Sequence, residues 1–128
     1  MTEGDGHSGI GATSHTWDSD VHEVVQRLFN RFPQVTANTY TCHPFCGWER
    51  RSVDVWGEGG RGHALPRHLS ELVLDFLFTL PGNPMIRHYI LGHVLWTSFG
   101  GYSTWAAPDH SGKLRHVHVT YWPVPPIR

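Results

Sequence analysis

The sequence predicts an α+β domain in which two main helices pack on a small, mostly antiparallel sheet. Two observations support this fold class. Two segments have apolar residues at helical spacing, and four segments are rich in β-branched or alternating residues, in the order α-β-β-α-β-β. Helices packed against an antiparallel sheet are a common solution for such an order. The chain has 128 residues, which is the length of one domain.

Apolar periodicity predicts the two helices. In residues 20–32 the apolar side chains fall at i, i+3, i+4, i+7, i+8 and i+11, which form one face of a helix. Residues 18–20 are suitable N-caps for this helix, and Pro33 ends it. Residues 67–80 carry a second apolar face and end at the Pro-Gly-Asn-Pro run. We therefore expect one helix near the start of the domain and one near its middle.

The strands are predicted from β-branched content and alternation. Residues 34–41 are rich in Thr, Val and Tyr, and residues 52–56 read Ser-Val-Asp-Val-Trp. Residues 86–96 form a longer β-rich run with a turn or bulge expected at Gly92. Residues 114–122 alternate strictly between two faces. The remaining segments are predicted as loops: residues 42–50, 57–66, 100–105 and 108–113.

Composition limits the classes of function. Lys and Arg total 10 against 11 Asp and Glu, so the net charge of −1 gives no bulk attraction for nucleic acid. No apolar run approaches the ~20 residues of a membrane span. Residues 1–17 are polar and predict a flexible arm before a single domain at residues 18–128. The arm lacks the features of a secretory signal. We therefore expect synthesis in the cytoplasm, after which the chain either stays there or leaves through a partner such as a holin, unless it is one piece of a longer protein. A monomer is the expected oligomeric state.

Histidine is unusually frequent, with 11 residues against 10 for Lys and Arg together. Histidine binds metals and transfers protons near neutral pH. His116 and His118 are two residues apart in a predicted strand, so both project from one face, while Val117 and Val119 project from the other. Two imidazoles on one face need a metal, an acid or water as a partner.

A carboxylate and a third histidine precede this pair. Asp54 lies between Val53 and Val55, so it projects away from the core if the valines point into it. His43 follows a predicted strand in a loop. Two imidazoles and a carboxylate, with a fourth position open to water, are the ligands of a catalytic zinc site.

The string TANTYTCHPFCGWERRSVDVWG and the downstream RHVHVTYW resemble the zinc peptidases of the D-alanyl-D-alanine carboxypeptidase and endolysin-peptidase type, the M15/LAS-like group. The resemblance covers residues 20–122. It implies a hedgehog/DD-peptidase-like fold and peptidoglycan stem peptides as the substrate. By residue, it implies that His43, Asp54 and His118 bind Zn²⁺ and that His116 helps to hold or deprotonate the water at the metal.

Two departures from the family pattern leave alternatives open. Ten residues separate His43 from Asp54, which is longer than the usual spacing, so Cys42 or Cys46 is an alternative ligand. Many members also carry an acidic residue shortly before the last zinc histidine, and this chain has none there. The general base is therefore expected to be His116, or Asp109 folded toward the metal.

A peptidase also needs groups that bind the substrate. Arg50 and Arg51 lie in the sequence between the presumed ligands His43 and Asp54. Either is therefore a candidate cation for an oxyanion or a substrate carboxylate. Aromatic side chains are candidates for the walls of a peptide groove: Trp48, Trp56, Tyr102 and Trp105.

The favoured interpretation is a zinc peptidase that cleaves stem peptides as a D,D-carboxypeptidase or an endopeptidase. One alternative is a non-catalytic module on the same fold that binds wall peptides or holds zinc structurally. Another is a structural zinc domain that uses Cys42, His43 and Cys46. For the two cysteines, a disulfide or free thiols are expected ahead of metal ligation.

Overall fold

The structure, a computed structural model, describes residues 7–8, 17–39 and 48–123. These residues contain two helices, α1 (Ser19–Arg31) and α2 (Arg67–Thr79), each of 13 residues. They also contain seven strands: β1 (His7–Ser8), β2 (Thr36–Asn38), β3 (Ser52–Trp56), β4 (Ile86–Leu91), β5 (Val94–Thr97), β6 (Gly101–Thr104) and β7 (Val117–Tyr121). Neither described helix is long and apolar enough to cross a membrane.

All described strands join one sheet in the order β1-β2-β3-β7-β4-β5-β6, and every neighbouring pair is antiparallel. The prediction of an α+β domain with a mostly antiparallel sheet is therefore confirmed. The last strand, β7, lies in the interior of the sheet between β3 and β4. This insertion brings residues from opposite ends of the domain side by side.

The core lies between the helices and one face of the sheet. The buried stripe of α1 consists of the apolar residues that the periodicity singles out: Val21, Val24, Val25, Leu28 and Phe29. From the sheet, β3 and β7 contribute Val53, Val55, Val117, Val119 and Tyr121, all at most 2% exposed. Each such aliphatic or aromatic side chain stabilises the fold by about 1.5–3 kcal/mol relative to exposure. The opposite face of the same strands remains for polar residues.

One strand differs from the sequence prediction, and one predicted turn is confirmed. Residues 100–105 were expected to form a loop, but Gly101–Thr104 is strand β6, which pairs with β5. Two glycines precede Tyr102, and such a local pattern indicates a loop, whereas the pairing with β5 is a tertiary contact that the local pattern does not reveal. The turn expected at Gly92 is confirmed, because the run at 86–96 is a hairpin of β4 and β5 that turns there. The φ of Gly92 is 63°, in the left-handed region that favours glycine.

The folded domain also begins earlier than expected. Trp17, the last residue of the predicted 1–17 arm, is 1% exposed and belongs to the core. Its indole Nε1 donates a hydrogen bond to the Ser52 carbonyl at 2.8 Å. Burial of this large apolar ring beside the start of α1 stabilises the domain. The polar composition of residues 1–17 as a whole does not predict it. His7–Ser8 pairs with β2, and the rest of the arm lies outside the described residues.

Candidate functional site

The candidate site lies where β3 and β7 run side by side. Asp54 is directly opposite His118 in the antiparallel register. Because successive side chains alternate between faces, the valines of both strands enter the core, and Asp54, His116 and His118 share the other face. These three polar residues are only 6–9% exposed. The register therefore places a carboxylate and two imidazoles together in a buried environment.

Both ring nitrogens of His118 have a hydrogen-bond partner. His118 Nδ1 lies 2.7 Å from Asp54 Oδ1, and His118 Nε2 lies 3.0 Å from Thr120 Oγ1. Thr120 Oγ1 in turn lies 2.8 Å from Ser52 Oγ, and both hydroxyl residues are fully buried. The orientation of the His118 ring is therefore held from two sides, with Nδ1 toward the carboxylate.

His116 presents its other nitrogen to the same carboxylate. Its Nδ1–H donates to the Leu114 carbonyl at 2.7 Å, because a carbonyl can only accept. Its Nε2 lies 3.8 Å from Asp54 Oδ1. Burial lowers the pKa of His116, so the ring favours its neutral form. Trp56 stacks on this ring at 3.9 Å between centroids. His116 thus faces Asp54 with a nitrogen able to accept a proton.

His110 joins this cluster although it was not among the predicted site residues. It is 6% exposed, and its ring centroid lies 4.1 Å from that of His116. Burial and the neighbouring His116 and His118 lower its pKa to about 4. Its Nδ1 is buried with no hydrogen-bond partner among the described residues. His110 lies in a 3₁₀ turn, where no periodic pattern marks a side chain as facing a site.

Asp109, one of the two predicted bases, lies next to His110. It is exposed and accepts a hydrogen bond from Trp105 Nε1 at 2.8 Å. Its Oδ1 is 3.8 Å from His110 Nε2. Asp109 therefore contacts the cluster through His110, and His116 is the predicted base that faces Asp54 directly.

The guanidinium of Arg87, a residue of β4, contacts the cluster through His88. No sequence pattern predicts this contact. The His88 ring stacks on His118 at 5.3 Å, and Arg87 Nη1 donates to His88 Nδ1 at 2.8 Å. Burial, then His118 and Arg87, lower the pKa of His88 to about 3. The Arg87 guanidinium also lies over three aromatic rings, those of Trp48, Phe99 and Trp122. Arg87 therefore fixes the orientation of His88 against the site.

Asp54 carries a buried negative charge in this cluster. Burial alone would raise the pKa of Asp54, but the neighbouring His118, His116 and His110 hold it below its ordinary value. Because His110 and His116 have lowered pKa values themselves, they bring no permanent positive charge. A buried carboxylate needs hydrogen-bonded or charged partners, and here the imidazoles of His118 and His116 are those partners.

The donor types in this cluster suit zinc. Asp54 Oδ1 and His118 Nδ1 are an oxygen and a nitrogen of the kinds that zinc binds, and here they bond to each other. The third predicted ligand, His43, lies outside the described residues, as do Cys42 and Cys46. Within the ranges that the structure describes, no group of three or more His, Cys, Asp or Glu is arranged to hold a metal ion. The described residues thus supply two suitable donors.

The two predicted substrate cations, Arg50 and Arg51, form ion pairs near the start of α1. Arg51 is 4% exposed and binds both carboxylate oxygens of Asp20 at 2.6 and 3.0 Å. Arg50 Nε binds Asp18 at 2.9 Å. These bonds tie the 3₁₀ turn before β3 to α1, so Arg51 has a structural role, and substrate binding by either residue stays a prediction.

The predicted aromatic residues separate into two groups. Trp56 stacks on His116, and the Trp105 ring lies 6.0 Å from that of His110, so both contact the histidine cluster. Tyr102 is opposite Trp96, and Trp96 is opposite Tyr89. Tyr89 is opposite the core residue Val119, and residues opposite each other in a sheet share a face. The structure therefore places Tyr102 on the face opposite His118, where it is 73% exposed.

Comparison with known proteins finds no match to this chain among family models, curated proteins or solved structures. The chemistry of the site is therefore inferred from its own residues. Asp54, His116 and His118 share one site with Trp56. His110 and His88 complete a cluster of four histidines around one carboxylate.

Proposed function

We propose that the protein is a zinc-dependent peptidase with a hedgehog/DD-peptidase-like fold that cleaves peptidoglycan stem peptides, as a D,D-carboxypeptidase or an endopeptidase. The observation that carries this proposal is the convergence of Asp54 Oδ1, His118 Nδ1 and His116 Nε2 on one buried face of the sheet. The substrate class comes from the motif resemblance alone.

Three residues would hold the metal: Asp54, His118 and His43. When bound, zinc lowers the pKa of a coordinated water to about 7 and polarises the scissile carbonyl. Among the described residues, the imidazoles of His118 and His116 contact Asp54, and each can give a lone pair to a metal. The hydroxyl of Thr120 orients His118 through Nε2, in the way that neighbouring groups orient metal-ligating histidines.

His116 acts as the general base and acid in this proposal. The Leu114 carbonyl holds the proton on Nδ1, which leaves the Nε2 lone pair toward Asp54. Nε2 accepts a proton from the attacking water and later returns it to the leaving amine, which typically contributes ~10²–10⁴-fold to the rate. Trp56 packs flat against the ring and keeps it in this orientation.

A second candidate is a non-catalytic module on the same fold that binds wall peptides or holds zinc structurally. The direct bond between Asp54 and His118 favours it, because the two donors satisfy each other without a metal. Asp109, the predicted acidic base, contacts Trp105 and His110, so within the described residues it reaches the cluster only through His110.

The test is an assay of purified protein on isolated cell walls, with zinc, with a chelator, and with zinc restored after the chelator. The proposal expects release of amines or stem peptides that the chelator abolishes and zinc restores. Zinc binding without release would favour the non-catalytic module. A protein that neither binds zinc nor releases peptides would contradict both the peptidase and the structural zinc interpretation.

A further inference from the structure

A continuous hydrogen-bonded chain runs across β3 and β7 behind His118. It connects Asp54 Oδ1, His118 Nδ1, His118 Nε2, Thr120 Oγ1 and Ser52 Oγ through contacts of 2.7, 3.0 and 2.8 Å. Asp54 is opposite His118, and Ser52 is opposite Thr120, in the same register. Both hydroxyl residues are 0% exposed, so water does not compete for these bonds.

For a singly protonated His118 ring, the proton positions in this chain follow from the donor and acceptor capacity of each group. An ionised carboxylate only accepts, so His118 Nδ1–H donates to Asp54. A singly protonated ring then has its lone pair at Nε2, and the Thr120 hydroxyl donates to it. The single proton of Thr120 is thereby used, so the Ser52 hydroxyl donates to Thr120 Oγ1. All three contacts are satisfied in this direction.

The same chain is also satisfied in the reverse direction. When Nδ1 gives its lone pair to a metal, the ring proton lies on Nε2 and is donated to Thr120 Oγ1. The Thr120 hydroxyl then rotates to donate to Ser52 Oγ. The ring carries one proton in both states, because Nδ1 releases a proton to solvent and Nε2 takes one up. A carbonyl or carboxylate in place of Thr120 would only accept and would favour one tautomer.

We infer that Thr120, supported by Ser52, is a positioning residue that satisfies both tautomers of His118, so that Nδ1 can donate to Asp54 in the metal-free protein and bind the metal in the loaded one. The statement about the zinc-bound protein rests on the proposed function. The statement about the metal-free protein rests only on the hydrogen bonds between the described residues.

The test combines ¹⁵N spectra of the histidine rings with zinc affinity, measured on the full chain at pH 8. In the metal-free protein we expect His118 to be protonated at Nδ1 alone, and zinc should move the proton to Nε2. Thr120→Val keeps the shape of the side chain but removes the hydroxyl. It should weaken zinc binding about 10–100-fold, the usual effect of losing a group that orients a ligand. Thr120→Ser should restore most of the affinity.

Thr36→Val is the matched control, because Thr36 is a buried hydroxyl residue of the same sheet whose Oγ1 donates to the Gly57 carbonyl. Thr36 is opposite Trp56 on the face of the site, but its hydroxyl bonds to Gly57 and not to the His118 chain. Thr36→Val should therefore lose a comparable hydrogen bond and change zinc affinity by no more than about 2-fold, below the effect of losing a group that orients a ligand. If Thr120→Val does not fold, Ser52→Ala tests the same chain and should weaken zinc binding several-fold.

A proton on Nε2 in the metal-free protein, alone or together with one on Nδ1, would overturn the inference. Equal zinc affinities for Thr120→Val and Thr36→Val would also overturn it. If the wild-type protein binds no zinc, the proposed function fails, and so does the inference about zinc-bound His118. The inference about metal-free His118 is then tested by the resonance of its Nε2, which should shift in Thr120→Val and not in Thr36→Val.

Discussion

Two carboxylates, Asp20 at the start of α1 and Asp54 within β3, are each paired with a cationic or basic partner, but in different ways. Asp20 binds the guanidinium of Arg51 through both of its oxygens. Asp54 binds the imidazole of His118 through one oxygen and has His116 at 3.8 Å. Both carboxyl groups have a lowered pKa, Asp20 because Arg51 outweighs the effect of burial and Asp54 because its histidines do.

The difference between the two clusters lies in the permanence of the positive charge. Arginine stays protonated in proteins, so Arg51 compensates Asp20 at every relevant pH. An imidazole gains or loses its charge near neutral pH and can give up its lone pair to a metal. The Asp20 cluster therefore stabilises the fold, whereas the Asp54 cluster can exchange its partner. The predictions below compare matched changes in the two clusters.

The largest expected difference is in activity between Asp54→Asn and Asp20→Asn. Loss of the anionic ligand at Asp54 should lower the zinc-dependent release of wall peptides by more than about 100-fold, which exceeds the typical effect of a residue that only orients a ligand. Asp20→Asn should keep activity within about 3-fold below its unfolding temperature, since distant sites act independently. Steady-state release by both variants measures this, and equal activities would remove Asp54 from the site.

The next comparison is in stability, between Arg51→Met and Arg50→Met. Arg51 is 4% exposed and binds Asp20 in bidentate geometry, so its loss should lower the free energy of unfolding by about 2–3 kcal/mol. Arg50 is in an exposed pair, so its loss should cost about 0–1 kcal/mol. Urea unfolding measures both. An Arg51 variant of normal stability whose KM is raised would instead support the predicted substrate role.

The smallest effect is the pH dependence of the Asp20 contribution. The pKa of Asp20 is lowered in the folded protein, so its ion pair stabilises fully above the unfolded value of about 3.9. This stability is lost as the pH falls through the lower folded pKa. The difference in unfolding free energy between wild type and Asp20→Asn should be about 1 kcal/mol above pH 5. Urea titrations from pH 2 to 6 should show it shrinking below pH 4; a constant difference would contradict the assignment.

Local pattern predicted several elements closely. The apolar stripe of residues 20–32 became α1 (Ser19–Arg31), and residues 52–56 became β3 with the same bounds. Strand alternation also anticipated that Asp54, His116 and His118 face away from the valines. Strand β6 was missed because the glycines at its start resemble a loop, and its pairing with β5 is a tertiary contact that no local pattern shows. His110 was missed because a 3₁₀ turn has no repeating face.

The sequence by itself determined which side chains share a face, because the periods of helices and strands depend only on local backbone geometry. The tertiary structure decided which faces meet. Asp54 and His118 are 64 residues apart in the chain, and they bond because β7 inserts between β3 and β4. The same insertion aligns Ser52 with Thr120. Strand neighbours are chosen by long-range packing of the whole core, which no local periodicity encodes.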